Sequence, residues 1–393
     1  MIKYVRYTAL AIFIAGGLLS GTLGLNNLAF LAEQPDSPAP PLDRAATPAD
    51  QAAMPVGVPT AAPALPVIAG LHLLIAPSPT QEPPDPNGTA WLYVIGGNLW
   101  ESDGRSAVQL TNDGHIGQPT LSADALLFVE QSRNASDVWL ASPDAPPRPI
   151  TRNTSPTVSK NHWASQPIFV PGRQRLFVLG DFNKSSTGPG DLAVWELGLG
   201  QEPPVQITRP PAYAGGDQDV TADPEDPRQI IFTRYAYVGT QLIEQLEWLD
   251  VSSDTLVPLT ATDQPSRQAS YSPDAKHIAF VRRGPAMEED LYMADVQVAN
   301  GRAQLDNARQ LVSGVIANPV WSPDGSTLAY LAEVADGFQL WSTAFRRDAD
   351  GTESPGQPRQ ITTGSGVDAT SRPVYLTGNQ AKQVQQWLSS PVK

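Results

Sequence analysis

The residues with the clearest capacity for chemistry are two histidines and a nearby acidic pair. His115 in NDGHIGQP and His162 in KNHWASQP stand at almost the same distance before a Gln-Pro pair, and Asp217 and Asp219 of the next copy could converge with them. Two imidazoles and a carboxylate suit Zn, Mn or Fe and leave positions open for a substrate. No His-Glu-x-x-His pattern accompanies them, and histidines are common on surface loops. A metal site and a pair of ordinary loop histidines therefore both stay open as interpretations.

A second set of polar side chains recurs in register, each immediately before a proline or the residue in its place. Its members are Gln118, Gln166, Gln218, Gln268, Asn318 and Arg372. Gathered at the mouth of a channel, these amides and the arginine would suit a ligand with backbone amides, a carboxylate or sugar hydroxyls. The alternative is that each amide caps the backbone of the neighbouring repeat, because a repeat also preserves structural hydrogen bonds.

A repeat of about 50 residues positions both sets. The residues in the place of Trp321 of NPVWSPDGSTLAYLAE are Leu121, Phe169, Thr221, Tyr271 and Tyr375. Each copy predicts four short strands: one before a tight turn, an apolar second, a third with an aromatic residue, and a fourth that ends in an apolar residue followed by a hydroxyl. Turn chemistry accounts for Asp274 and Asp324, and the charged run MEEDLY from Met287 is predicted to be a solvated loop.

Four strands per repeat predict the blades of an all-β propeller. The first copy, from Trp91, lacks a first strand, whereas the last copy, from Ser371, supplies only a first strand. Pairing the two would complete one blade, close the ring non-covalently and remove two open sheet edges. The sequence therefore predicts a six-bladed propeller over residues 90–380, followed by a C-terminal tail over 381–393.

The N-terminal quarter predicts export and attachment to a membrane. Lys3 and Arg6 precede an uncharged, mostly apolar run from Tyr7 to Leu25, which is about the length that crosses a bilayer. A basic flank remains in the cytoplasm, so residues 1–32 are predicted to be a transmembrane signal-anchor with the propeller outside; cleavage would make the protein secreted. Residues 33–89 are rich in proline and predict an extended linker.

The sequence PVWSPDGSTLAYLAE, followed by an aromatic strand and QIT, resembles the WD40-like (PD40) repeat of TolB-like propellers, and ASYSPDAKHIAFV is a second copy. The resemblance implies a six-bladed extracytoplasmic propeller that often serves as a docking platform for envelope proteins. Similar blades form the non-catalytic domain of serine peptidases of the prolyl oligopeptidase type, and they occur in oligogalacturonate lyases. The Gly-x-Ser-x-Gly sequence of the peptidase domain is missing from this chain.

The composition excludes some classes of partner and site. With 26 basic and 40 acidic residues the net charge is −14, which disfavours nucleic acid, and without cysteine there is neither a disulfide nor a thiolate metal site. We therefore expect a non-enzymatic binding module, with no cofactor, for a protein, peptide or glycan of the envelope or the extracellular space. The alternative is a metal-dependent lyase or hydrolase with His115, His162 and Asp217 at the channel mouth.

Overall fold

The computed structural model describes residues 89–389, apart from 144, 173, 185–190, 201, 212–214 and 348–352. The predicted signal-anchor and residues 33–88 of the predicted linker lie outside the described residues. Within the described ranges no helix is both long and apolar enough to cross a membrane.

Strands of the described residues form six antiparallel sheets, which are the blades of a propeller. The first three blades contain, in chain order, β1 (Ala90–Ile95), β2 (Asn98–Ser102), β3 (Ala107–Gln109), β4 (Ile116–Leu121), β5 (Leu126–Gln131), β6 (Ser136–Ser142), β7 (Ala145–Pro149), a 3₁₀ turn (Val158–Lys160), β8 (Ala164–Phe169), β9 (Arg175–Gly180), β10 (Ala193–Gly198) and β11 (Val205–Gln206). Blade 1 holds β1 to β3, blade 2 holds β4 to β7, and blade 3 holds β8 to β11.

Blades 4 to 6 follow the same plan with longer second and third strands. Their strands are β12 (Asp217–Ala222), β13 (Gln229–Val238), β14 (Gln241–Asp250), β15 (Thr255–Pro258), β16 (Ser266–Tyr271), β17 (His277–Arg283), β18 (Glu289–Ala299), β19 (Arg302–Val312), β20 (Ile316–Trp321), β21 (Thr327–Val334), β22 (Gly337–Arg347), β23 (Glu353–Pro355) and β24 (Arg359–Gln360). Blade 4 holds β12 to β15, blade 5 holds β16 to β19, and blade 6 holds the rest. The last strand, β25 (Val374–Leu376), belongs to blade 1.

The second strand of each blade is apolar on both faces because each blade lies between two others. In β5, Leu126 and Phe128 join the core shared with blade 1, whereas Leu127 and Val129 join the core shared with blade 3. Side chains alternate between the two faces of a strand, so a strand that is buried on both faces is a continuous apolar run in the sequence. In the described residues one such core fills each of the six contacts between adjacent blades.

The hydroxyl that ends the predicted fourth strand has a structural role in all blades except blade 5. Thr111 Oγ1 accepts a hydrogen bond from the backbone N–H of Leu99 at 2.9 Å, and Thr208 Oγ1 accepts one from the N–H of Val194 at 3.0 Å. The same bond to the third strand is made by Thr151, Thr260 and Thr362. The bond satisfies a buried donor where the short fourth strand has ended.

Blade 1 is completed by strands from both ends of the propeller, as the strand count predicts. The closing strand β25 pairs antiparallel with β1, and Leu376 lies opposite Ala90. The rings of Trp91 and Tyr375 meet edge to face with centroids 4.9 Å apart, a geometry that adds to the burial of both rings. The predicted six-bladed, all-β architecture is confirmed.

A C-terminal helix, α1 (Gly378–Ser389), is a feature that the sequence interpretation did not include. Gln380 Oε1 accepts hydrogen bonds from the N–H and the hydroxyl of Thr377 at 3.0 and 2.9 Å, and the first of these is the glutamine half of a capping box at the start of the helix. The buried face of α1 joins the core between blades 1 and 2. It consists of Ala381, Val384, Trp387 and Leu388.

Removal of the chain end should therefore lower stability in two steps. Deleting residues 378–393 removes α1, and each large side chain lost from the core should cost about 2–5 kcal/mol. Deleting residues 371–393 also removes β25, which reopens the ring, and we expect loss of cooperative thermal unfolding followed by circular dichroism. Deletion of 390–393 is the control; equal melting temperatures for all three proteins would contradict the closure account.

A buried carboxyl beneath α1 predicts a pH-dependent stability. Glu101 is fully buried, accepts a hydrogen bond from Gln385 Nε2 at 3.1 Å, and has its pKa raised by burial. The folded protein thus holds this proton more tightly than the unfolded chain, so the carboxyl reduces stability as pH rises above the ordinary range for glutamate.

Glu101→Gln should melt at a higher temperature than the wild type at pH 8, because the amide stays neutral in the core. The difference should shrink as pH falls and vanish below about pH 4, where glutamate is protonated in the unfolded chain as well. The control is Glu333→Gln at an exposed position. An advantage of Glu101→Gln that is independent of pH would show that ionisation is not its cause.

Candidate binding site

A β-bulge interrupts the first strand of blades 2 to 6. At the bulged residue the backbone is left-handed, with φ values of 50° at Gln118, 48° at Gln166, 55° at Asp219, 56° at Gln268 and 50° at Asn318. Side chains other than glycine adopt this conformation rarely, and they persist there only when the surrounding structure holds them. The bulge turns the backbone N–H of this residue away from its own sheet.

Each bulged N–H donates a hydrogen bond to a side chain of the preceding blade. Gln166 N donates to Gln118 Oε1 at 2.7 Å, and Asp219 N donates to Gln166 Oε1 at 2.8 Å. The other three bonds join Gln118 N to Ser371 Oγ at 3.0 Å, Gln268 N to Thr233 Oγ1 at 3.0 Å, and Asn318 N to Gln268 Oε1 at 2.9 Å. We call Gln118, Gln166, Asp219, Gln268 and Asn318 the amide ring.

The ring continues into blade 1, because Asn318 Nδ2 donates to the carbonyl of Ala369 at 2.7 Å. Every blade is therefore tied to the next by at least one bond around the channel. The sequence allowed two roles for the polar side chains that recur in register, backbone capping and ligand binding. The side-chain oxygens of Gln118, Gln166 and Gln268 cap the backbone of the next blade.

In blade 4 the bulged residue is Asp219. The sequence repeat instead predicts Gln218, one residue earlier, for this position. The shift in strand pairing lies between Gln218 and Thr221, so Asp219 carries the bulge. Gln218 is buried, and its Nε2 donates to the carbonyl of Gly215 at 2.7 Å. Blade 4 has no proline to mark the register, and aspartate tolerates the left-handed backbone better than glutamine does.

The central channel contains a cavity of about 340 Å³. Its apolar lining includes Leu121, Ile168, Phe169, Val220, Val320, Trp321, Val374 and Tyr375, together with several prolines. Its polar lining includes Gln118, Gln166, Asp219, Ser270, Asn318, Thr370 and Arg372. The lining continues through Pro171, Pro323 and Gln380, so the cavity extends from the amide ring toward the turns that follow the first strands.

Two charged side chains of the cavity come from opposite blades. Arg372, in blade 1, reaches across the channel and donates from Nη2 to the carbonyl of Ala269 in blade 5 at 3.3 Å. Asp219, in blade 4, accepts hydrogen bonds from Gln166 Nε2 and Thr233 Oγ1, both at 3.2 Å. Burial raises the pKa of the Asp219 carboxyl, and the nearby positive charge of Arg372 opposes that shift.

A buried ionic cluster lies at the start of the first strand of blade 5. Arg267 Nη1 and Nη2 donate to the two oxygens of Glu289 at 2.7 and 2.5 Å, and Arg283 Nη2 donates to Glu244 Oε1 at 2.7 Å. The prediction of a solvated loop for the charged run at Met287 is therefore wrong at Glu289, which strand β18 carries into the interior. Such a cluster is strongly destabilised when one partner is removed, because the other charge stays buried.

The residues of the metal hypothesis lie apart from the cavity. His115 and His162 both precede the bulges, on the other side of the amide ring, and neither lines the cavity. His162 Nδ1 lies 3.2 Å from the carbonyl of Asp181, and Asp217 accepts two hydrogen bonds from Arg234 at 2.7 and 2.8 Å. No group of three or more His, Asp or Glu side chains suited to a metal ion occurs in the part of the chain that the structure describes.

The fold and the cavity define a six-bladed propeller with a small-ligand-sized pocket in its channel, and the fold is that of a TolB-like propeller. TolB from Acinetobacter baumannii has a TM-score of 0.54 and 16% identity over 73% of this chain and 66% of that chain. A TolB from Agrobacterium tumefaciens has a TM-score of 0.47 and 15% identity over 72% and 93%. The periplasmic gluconolactonase of Pseudomonas aeruginosa has a TM-score of 0.43 and 15% identity over 71% and 79%.

At these identities the likeness concerns the fold. The matched part of the chain spans 66% of the length of the Acinetobacter protein, just under two thirds. No protein-family model matches the sequence. No curated protein matches it either.

The amide ring predicts the effect of shortening its side chains. Gln118→Ala or Gln166→Ala leaves the bulged N–H of the next blade without its acceptor, which should cost about 1–3 kcal/mol of unfolding free energy. Urea unfolding followed by tryptophan fluorescence measures this loss. Gln304→Ala, at an exposed position of β19, is the control and should change the free energy by less than about 0.5 kcal/mol. If all three variants were equally stable, the ring bonds would not hold the blades together.

Proposed function

We propose that this chain is an exported, membrane-tethered propeller that acts as a non-enzymatic binding module. Its partner would be a protein, peptide or glycan outside the cytoplasm, and the binding site would be the channel cavity and its mouth. The observation that carries the proposal is a cavity of about 340 Å³ whose wall exposes more apolar than polar surface and includes the charged groups of Arg372 and Asp219, a combination that suits a ligand site.

The position of the cavity supports binding from one face of the propeller. The first strands beyond the amide ring form its walls, and Pro171, Pro323 and Gln380 lie at its outer end. These residues belong to tight turns and to the start of α1, so their backbone is fixed before a partner arrives. A preformed surface loses little conformational entropy on binding.

Export and tethering are inferred from the sequence. The basic residues Lys3 and Arg6 before the apolar run Tyr7 to Leu25 favour a signal-anchor that leaves the propeller outside the cytoplasm. The resemblance to TolB-like repeats implies the same side of the membrane. The metal-dependent alternative with His115, His162 and Asp217 stays a prediction, which metal analysis of the purified protein would test.

Blocking the cavity should abolish partner binding. Val320→Trp puts a large ring into the cavity wall, whereas Val298→Trp makes the same change at an exposed position of the β18 hairpin. The full-length protein and both variants would be captured from native membranes after crosslinking, with melting temperatures measured for each. We expect a partner that is retained by wild type and Val298→Trp and is lost by Val320→Trp.

Other outcomes would contradict the proposal. A partner lost by Val298→Trp and kept by Val320→Trp would place binding on the blade hairpins. Capture of no partner by any of the three proteins would count against a binding module. A Val320→Trp variant with a clearly lower melting temperature would be replaced by Val320→Phe, which adds less volume at the same wall position.

A further inference from the structure

The hydrogen-bonding groups of the amide ring are largely committed to the protein. The side-chain oxygens of Gln118 and Gln166 accept bulged N–H groups, and the side-chain nitrogens of Gln166 and Asn318 donate to Asp219 and Ala369. Gln118 Nε2 lies 3.4 Å from the carbonyl of Thr370. A ligand that bound through these amides would have to break hydrogen bonds between blades. The ring therefore disfavours a ligand that needs many hydrogen bonds from amide groups.

The guanidinium of Arg372 is different. It has five N–H donors, and within the described residues it makes one hydrogen bond, from Nη2 to the carbonyl of Ala269 at 3.3 Å. The side chain is half-buried and lines the cavity. A guanidinium that has lost much of its water and has few partners favours an anion, and a planar carboxylate matches its paired donors.

Apolar side chains form much of the cavity wall, and Asp219 is the other charged group of the lining close to Arg372. Val320, Trp321 and Val374 line the cavity together with Leu121 and Phe169. The volume of about 340 Å³ lies at the lower end of the usual range for small-ligand sites. Both oxygens of Asp219 already accept hydrogen bonds from Gln166 and Thr233, so Arg372 keeps donors for a ligand. A guanidinium beside apolar walls suits a carboxylate on an apolar or aromatic body.

We propose that the channel cavity binds a carboxylate on an apolar body, with Arg372 as its counter-ion. The inference rests on the proposed function, because it names the chemistry that the cavity recognises. The carboxylate has two sources with the same chemistry, a free organic acid and the C-terminus of a peptide with an apolar last residue. Either source would place its charge at Arg372 and its apolar part against Trp321 and Val320.

The test compares acids with their neutral amides on the full-length protein. The probes are 3-phenylpropionic acid and 3-phenylpropionamide, and acetyl-Ala-Leu-Phe with a free or an amidated C-terminus. Titration would be followed by calorimetry and by tryptophan fluorescence, to which Trp321 in the cavity wall contributes. At least one acid should bind about tenfold more tightly than its amide, because a hydrogen bond to a charged group is stronger than a neutral one.

Variants assign the preference to Arg372. Arg372→Gln should bind acid and amide equally, Arg372→Lys should keep part of the preference, and Arg302→Gln at an exposed position of β19 should keep all of it. Binding of the small acid alone would identify a free acid as the source, and binding of the peptide acid would identify a chain terminus. The proposal is overturned if no acid binds at 10 mM, a dissociation constant that corresponds to about 2.7 kcal/mol of binding free energy. It is also overturned if acids and amides bind equally to wild type, or if Arg372→Gln keeps the preference for acids.

The outcome can be separated from that of the proposed function. If Val320→Trp abolishes capture of a partner and Arg372→Gln does not, the cavity binds partners without the arginine, and only the carboxylate inference fails. If the acids bind through Arg372 and no partner is captured, the cavity is a small-molecule site and the docking function fails instead.

Discussion

The structure depends on one hydrogen bond repeated around the channel, in which the bulged N–H of one blade donates to a side chain of the blade before it. The bond between Gln166 N and Gln118 Oε1 has this form, and so does the bond between Asn318 N and Gln268 Oε1. Blades pack through apolar faces that could slide against each other, because hydrophobic contact is not directional. A directional bond near the axis fixes the register of each blade with its neighbour.

This constraint also determines what the channel offers a ligand. Because the ring amides bond to other blades, the groups that remain at the cavity are a guanidinium, a buried carboxyl with both oxygens in use, a few hydroxyls such as that of Ser270, and apolar walls. Arg372 and Asp219 come from the two blades that face each other across the ring. The same first strands thus hold the fold together on one edge and line the cavity on the other.

Much of the fold could be predicted from the sequence because each blade repeats the same local chemistry. The apolar second strands, the tight turns and the terminal hydroxyls recur about every 50 residues, and an incomplete first and last copy indicate closure. Helix α1 was detectable in principle: Thr377 and Gln380 have capping-box spacing, and Ala381, Val384 and Leu388 have helical spacing. The strong strand pattern before it concealed this signal.

Other features could not be predicted because they depend on contacts distant in sequence. Arg283 and Glu244 are 39 residues apart and meet only because β14 and β17 belong to adjacent blades. The register of Asp219 depends on a bulge, and a bulge is a choice of strand pairing that no single residue encodes. Whether an amide caps a blade or binds a ligand depends on which group it faces, and the residue type is the same in both cases.

Hydrogen exchange of individual backbone amides, measured by NMR on the full-length protein, tests the role of the ring most directly. We predict that the N–H groups of Gln166, Asp219 and Asn318 exchange only through global unfolding, with protection equal to that of the apolar second strands. Exchange as fast as that of the exposed hairpin of β18 and β19 would show that the ring bonds open independently of the fold. The blades would then be held by apolar packing alone, and the account given for the channel would be wrong.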